Sequence, residues 1–277
     1  MRRDPRDGVG RRRPRGRAVG LVLAAVLCGG CGPADDDGPD GASAAVPDAA
    51  PSPDVEPTPA PAVADAAAVR TTGVPVVAGG TTVLHVLGSD PATAITAEPD
   101  GDVTTLTIDP GAVSAPVDVL LAAPEGATID PQDDRSLVVR GVDGTFVGGA
   151  GRPAVGADAA SPRVAADGDD LLRLQVTGPL TFRIGAVAVV STDWGEREGG
   201  RSIAVEPSEW ARDAGQAGEV AVWAELVELD PEVDTPVMHD QLVCHAVGAP
   251  DKATWNLEPW RPDVGLLRIM LAGCNPT

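Results

Sequence analysis

Within WNLEPWRPDVG, residues 255–265, Trp255, Asn256, Glu258, Trp260 and Arg261 bring two indoles, an amide, a carboxyl and a guanidinium close together, with His245 a short way upstream. Groups of these kinds stack on and hydrogen-bond sugars or peptides, and Glu258 with His245 is the pair able to exchange a proton with a substrate. The structural alternative is an indole and leucine core in which a buried Glu258–Arg261 ion pair fixes the loop. Neighbouring Cys244 and His245 have the types of a thiolate nucleophile and its base, a use that vanishes if Cys244 is oxidised. On a helix His239 and His245 project about 120° apart, a poor start for a shared metal. His85 lies in an apolar run without a second ligand and is read as structural. No metal set, cofactor motif or glycan-cleaving carboxylate spacing stands out.

The elements that must hold these groups are small. All five tryptophans (194, 210, 223, 255, 260) follow residue 193, which predicts a separate compact core over 193–277. SIAVEP (202–207) reads as a strand. SEWARDAG (208–215) reads as a short helix with Ser208 as N-cap and Gly215 as stop. GEVAVWAELVEL (218–229) can be helical with Val222, Trp223, Leu226 and Leu229 on one face. Thr235-Pro236 opens a helix running through Val247. In TWNLE, alternation sends Trp255 and Leu257 to one side and Asn256 and Glu258 to the other. Pro259 and Pro262 end regular pairing, and Asp263 is placed to cap a last helix over 264–272.

Of four cysteines, Cys28 and Cys31 belong to the N-terminal segment, leaving Cys244 and Cys274. In an oxidising compartment these two are expected to pair. The closed loop of about 30 residues would contribute roughly 3–4 kcal/mol in the chain-entropy model. Free thiols, or metal ligation together with His245, are the alternatives.

Residues 71–192 carry short Val, Thr, Leu and Ile runs: VPVV (74–77), TTVLHVL (81–87), VTTLTI (103–108), VDVLLA (117–122), SLVVR (136–140), LLRLQV (171–176) and LTFRIGAVAVV (180–190). Turn signals such as Gly79-Gly80, Asp100-Gly101 and Asp143-Gly144 separate them, and the last predicts a hairpin. The expected fold is therefore mainly β, with a β-sandwich-like middle block and a small disulfide-stapled α+β block at the C-terminus.

The N-terminus reads as an address. Eight arginines in residues 1–17 lead into the apolar AVGLVLAAVLCGG (18–30), too short to span a bilayer stably. LCGGCG, residues 27–32, resembles a bacterial lipobox: Gly30 precedes Cys31 as the pattern wants, while Cys28 stands where Leu is preferred. The resemblance implies a signal over 1–30 and acylation of Cys31, giving a lipid anchor facing outside the cytoplasm. A plain secretory signal ending near Ala42-Ser43-Ala44 is the alternative. Residues 31–70, rich in Pro, Ala and Asp, read as a disordered stalk. Beyond residue 17 the chain holds 13 basic against 39 acidic groups, a balance of −26. That charge disfavours nucleic acid and anionic lipid headgroups and suits a cationic partner, bound divalent metal or a solvated acidic face.

Trp223, Glu225, Met238, Gln241, Cys244-His245, Lys252, Trp255-Asn256-Leu257-Glu258-Pro259, Arg261-Pro262 and Cys274-Asn275-Pro276 together resemble a bacterial domain of unknown function, family 2599, found at the C-termini of exported actinobacterial proteins. The match covers roughly residues 200–277. It implies an extracytoplasmic module and carries no activity with it. The leading expectation is a membrane-tethered, non-enzymatic module recognising a cell-envelope glycan or a protein. An extracytoplasmic hydrolase of an envelope polymer is the second, and a secreted inhibitor or toxin-like effector the third.

Overall fold

The computed structural model describes residues 65–277 apart from residue 158; the signal-like segment, Cys28, Cys31 and the stalk up to residue 64 lie outside the described residues. After a short helix, α1 (Ala66–Thr72), the chain makes β1 (Val74–Ala78), β2 (Thr81–Gly88), β3 (Ala94–Asp100), β4 (Val103–Asp109), β5 (Val117–Ala122) and β6 (Thr128–Pro131). It continues through β7 (Leu137–Arg140), β8 (Phe146–Ala150), β9 (Ala154–Val155), β10 (Arg163–Ala166), β11 (Leu171–Val176) and β12 (Leu180–Gly185). One sheet has the order β1-β2-β5-β11-β10 and the other β3-β4-β12-β8-β7-β6, with β9 beside β12.

Alternation explains how the sheets meet. In β4, Thr104, Leu106 and Ile108 point inward while their neighbours stay half-exposed. Leu84, Val86, Leu121 and Leu174 of one sheet share a buried core with Leu106, Leu137, Phe182 and Ile184 of the other, so the middle block is a β-sandwich. Gly79 and Gly80, with φ of 55° and 82°, make the two-residue β1–β2 turn that the twist of paired strands favours.

The stalk read as running to residue 70 needs correcting at its end, because α1 begins at Ala66. Asp65 caps the helix by accepting from the Ala68 N–H at 2.8 Å, and Ala66 and Val69 bury against Leu120, Ala122 and Leu171. Arg70 then pairs with Asp170 and donates to the Ala123 carbonyl at 2.7 Å. An Ala-rich run is helical when one face finds a sheet to cover.

The C-terminal block opens with β13 (Val189–Arg197) and β14 (Gly200–Pro207), followed by α2 (Glu209–Asp213), α3 (Gln216–Leu229), a 3-10 turn at Pro231–Val233, α4 (Pro236–Gly248), β15 (Trp255–Leu257) and α5 (Leu266–Leu271). Its sheet has the order β13-β14-β15. The caps of α2 and α4 are those expected, Ser208 and Thr235, with Pro236 in the first turn of α4.

Two helices depart from expectation. The buried face of α3 is Ala217, Gly218, Ala221, Val222 and Leu226, whereas Leu229 is 63% exposed and Trp223 half-buried. Smallness selects this face: a Cβ on Gly218 would collide with the carbonyl of Ala211, so α2 and α3 touch backbone to backbone. The last helix starts at Leu266 behind Gly265 instead of being capped by Asp263. Asp263 accepts from the Gly265 N–H at 3.3 Å in a turn just before it, because Val264 is drawn against Cys244, Ile269 and Cys274.

The sandwich and the C-terminal block share an interface. Trp210 of α2 is buried, stacks on Phe146 with ring centroids 5.9 Å apart, and donates its N–H to the Arg183 carbonyl at 3.1 Å. Gly149 and Gly185 leave the space its indole occupies. The N-terminus of α3, preceded by Gly215 at φ 69° with no capping side chain, is capped from the sandwich. Asp134 accepts from the Gln216 N–H at 2.9 Å, and the Ser136 hydroxyl accepts from the Ala217 N–H at 2.9 Å. Burial would raise the Asp134 carboxyl, but the Ser136 hydroxyl, which donates to it, the Gln216 and Ser136 N–H groups and Arg152 bring it below the ordinary range.

Candidate functional site

Cys244 and Cys274 form a disulfide with Cα atoms 5.6 Å apart, closing the ring around WNLEPWRPDVG. This settles the free-thiol and metal alternatives for Cys244, since a disulfide sulfur is neither a thiolate nucleophile nor a thiolate ligand.

Inside the ring the sequence motif completes a sheet. β15 pairs with β14 along one edge, with Leu257 opposite Ile203 and Trp255 opposite Val205. Its other edge would present unpaired backbone groups in a buried place, where each is costly. Helix α4 supplies the partners. The Gln241 amide accepts from the Glu258 N–H at 3.0 Å and donates to the Glu258 carbonyl at 3.1 Å, as a neighbouring strand would. One turn later His245 donates from Nε2 to the Asn256 carbonyl at 3.1 Å. A carbonyl only accepts, so Nε2 carries the proton, and Nδ1 has no hydrogen-bond partner among the described residues. Burial, reinforced by the charge of Lys252, holds the His245 ring below its ordinary pKa against that one hydrogen bond. His245 is therefore a neutral donor here.

Glu258 and Arg261 are also turned inward, 2% and 3% exposed. Arg261 pairs through Nε with Glu258, donates through Nη1 to the Pro276 carbonyl at 3.0 Å, and through Nη2 to Glu198 at 2.8 Å. Burial opposes its charge, yet Glu258 and Glu198 more than offset that and raise its pKa. One guanidinium thus ties the exit of β15 to the C-terminal tail and to the β13–β14 turn, where Glu198 sits at φ 50°. Trp255 is fully buried, Asn256 half-buried, and Trp260, 42% exposed, lies against Gly200 with the Arg261 guanidinium 4.6 Å from its ring centre. Of the six candidate binding residues, Trp260 is the one that presents a large surface to solvent.

Other polar anchors carried no readable role in the sequence. Glu225 of α3 accepts from the N–H groups of Ala188 and Val189, at 3.0 and 2.7 Å; burial raises its carboxyl while those bonds pull the other way. Arg212 donates to the carbonyls of Pro207, Pro250, Lys252 and Ala253, gathering the loop between α4 and β15. The i, i+4 spacing of Gln241 and His245 opposite a short strand was the one signal that could have revealed the edge cover.

A groove of about 420 Å³ opens elsewhere, between the β7–β8 turn and helices α3 and α4. Val220, Trp223, Ala224 and Val227 of α3 floor it at helical spacing, Arg140 and Asp143 stand on the turn side, and Glu228, Asp234 and His239 on the other. Trp223 and Val227 rest on the core with one side and remain half-buried. The Trp223 and His239 rings meet edge to face, 4.8 Å apart. Hydrogen bonds from the hydroxyl and N–H of Thr145 keep the Asp143 carboxyl below its ordinary range. The sequence hid this groove because it assigned Trp223 to the core face.

The fold and these residues define a β-sandwich fused to a disulfide-stapled α+β block whose motif residues complete the block's own hydrogen bonding. Residues 189–277 match the family described as a protein of unknown function, DUF2599, so the resemblance read from the sequence holds for the C-terminal block. Uncharacterized proteins of Mycobacterium tuberculosis and Mycobacterium bovis are each 41% identical over 93 residues, 31% of this chain and 63% of theirs. One of Mycobacterium leprae is 38% identical over 81 residues, 28% of this chain and 60% of its own. The chain thus spans less than two thirds of the length of the curated relatives it matches. No solved structure matches it.

Proposed function

We propose that the chain is an exported, membrane-tethered recognition module that offers the α3 groove, and not the WNLEPWR segment, to a cell-envelope component or protein partner. The observation that carries this reading is the division of labour between the two regions. Glu258, Arg261 and His245 are consumed in holding β15, while α3 leaves an apolar stripe and a Trp–His pair in an open concavity. A carboxylate locked to a buried guanidinium is poorly placed to pass protons to a substrate, which weighs against the hydrolase built on Glu258 and His245. The disulfide suits an oxidising compartment, in keeping with a lipid anchor at Cys31.

Metabolic palmitate labelling of the expressed chain and of Cys31→Ala tests the tether. Label on the wild-type protein that disappears in Cys31→Ala, with release into the medium, is expected. Label that survives the substitution removes the anchor. Glu258→Gln separates the classes: loss of stability with no turnover to lose supports the module, whereas a folded variant that has lost a hydrolytic activity on envelope polymer returns the function to catalysis.

A further inference from the structure

Helix α3 is apolar on two sides. Ala217, Ala221, Val222 and Leu226 meet the core, and Val220, Trp223, Ala224 and Val227, at i, i+3, i+4 and i+7, form a second stripe along the groove. Around that stripe the charges are uneven. Asp143, Glu228 and Asp234 face one cation, Arg140, and none of the four makes an ion pair among the described residues. Elsewhere Arg70, Arg173, Arg183, Arg201 and Arg261 each sit on a carboxylate, whereas Arg135, Arg163, Arg197, Arg212 and Arg268, like Arg140, make no ion pair among the described residues. The Trp223 N–H has no hydrogen-bond acceptor among the described residues, as is also so for Trp255 and Trp260, while those of Trp194 and Trp210 are bonded.

The geometry points to a basic–apolar peptide segment of a partner protein as the ligand of this groove, an assignment that rests on the recognition reading above. An aliphatic side chain of the segment lies on Val220, Ala224 and Val227. A following Arg or Lys crosses the electron-rich indole of Trp223 and ends between Glu228 and Asp234. Arg140 and the Trp223 N–H remain for the peptide's own carbonyls. The volume falls within the usual range for ligand sites, roughly 300–1,000 Å³, enough for a few residues. An acidic segment would meet three carboxylates. A glycan would meet a floor that is mainly aliphatic, where saccharide sites present a ring of hydrogen-bonding groups.

The test uses the disulfide-intact protein, nitrogen-15 labelled and observed through its tryptophan indole N–H resonances, with Trp223→Phe identifying the signal of interest. Three probes are titrated: the acetylated amide Leu-Arg-Val-Arg, the matching Leu-Glu-Val-Glu, and chitotetraose. A saturable shift at Trp223 with the basic peptide is expected, weakening as salt rises. Glu228→Gln combined with Asp234→Asn, both exposed and without structural partners among the described residues, should weaken it by roughly 1.5- to fivefold per carboxylate. Equal binding of the acidic peptide, a Trp223 shift with chitotetraose alone, or silence at Trp223 with all three probes overturns the assignment. The first two of those results leave recognition at the groove standing with another ligand class. Insensitivity of basic-peptide binding to the double substitution also overturns it. Failure of the tether or appearance of turnover is read separately, in the labelling and Glu258→Gln experiments.

Discussion

The sandwich and the C-terminal block face one requirement, to bury apolar side chains without stranding backbone polar groups, and they meet it differently. In the sandwich, twelve strands satisfy most of one another's N–H and C=O groups, so most core side chains there need only be apolar and of suitable volume, with Thr104 on the Val77 carbonyl and Arg70 on the Ala123 carbonyl as exceptions. The C-terminal sheet has three strands, one of them Trp255–Leu257. Its edges and loops are finished by particular side chains: Gln241 and His245 on β15, Glu225 on Ala188 and Val189, Arg212 on four carbonyls, Arg261 on Glu258, Glu198 and Pro276. A backbone completed by side chains fixes residue identity, where one completed by strands fixes only hydrophobicity. The family match, residues 189–277, coincides with the block built this way.

The sharpest way to break the comparison is to remove Arg261. Taking one partner from a buried pair strands the other charge, and Arg261→Ala should lower stability by roughly 3–5 kcal/mol. Arg261→Lys should recover little, because an ammonium cannot reproduce a planar fork aimed at Glu258, Pro276 and Glu198. In the sandwich the matching conservative change, Leu84→Met, should cost less than about 1.5 kcal/mol. Urea midpoints of the three variants measure the contrast. If Arg261→Ala costs under about 1 kcal/mol, the block is not held by its polar latches and the distinction fails.

What could be read in the sequence follows the same division. The turn at Gly79-Gly80, the hairpin at Asp143-Gly144, the cap at Ser208, the helix opening at Thr235-Pro236, the sidedness of Trp255 and Leu257, and the Cys244–Cys274 pair were all legible, because each depends on neighbours in sequence or on compartment. The strands β3, β6, β9 and β10 were not, nor was the break in the 180–190 run, which ends β12 at Gly185 and starts β13 of another sheet at Val189, since little in these residues marks them apart from their pairing partners. The inward face of α3 was misread because close approach favoured Gly218 and Ala221 over Leu229. The cap of α3 lies on Asp134 and Ser136, 82 and 81 residues away, and no local pattern announces it. In WNLEPWR the residue types were legible and the direction they face was not: only the position of α4 decides that Glu258 and His245 point inward.

That distant cap offers a second test, of moderate size, at the seam between the regions. Asp134→Ala and Ser136→Ala should each lower stability by about 1 kcal/mol, up to about 2. All five tryptophans lie in the C-terminal block, so near-ultraviolet dichroism reports that block while far-ultraviolet dichroism is dominated by the whole. In the double variant the near-ultraviolet signal should melt first. Coincident melting would show that the seam is no weaker than either side and that the cap is incidental to the union.

The smallest expected effect compares two histidines, one per region. His85 in β2 and His245 in α4 both have lowered pKa values, burial being the main cause in each, with Arg70 and Lys252 adding to it respectively. A folded pKa below the unfolded value of about 6.5 means the unfolded chain takes up the proton first. Each histidine therefore contributes stability that is complete above about pH 6.5 and declines as pH falls below it. Glu219 and Glu225, raised by burial, act in the opposite sense just above their unfolded pKa, so variants must be compared and not raw curves. His85 is half-exposed and its proton can be solvated, whereas His245 is 3% exposed and must surrender a neutral role on the edge of β15. His245→Gln, which keeps a donor for the Asn256 carbonyl, should flatten the decline in urea midpoint between about pH 7.5 and 5.5 more than His85→Gln does. Equal flattening would mean that covering the strand edge makes no special demand on the neutral ring, and the contrast between side-chain-completed and strand-completed backbone would lose its pH signature.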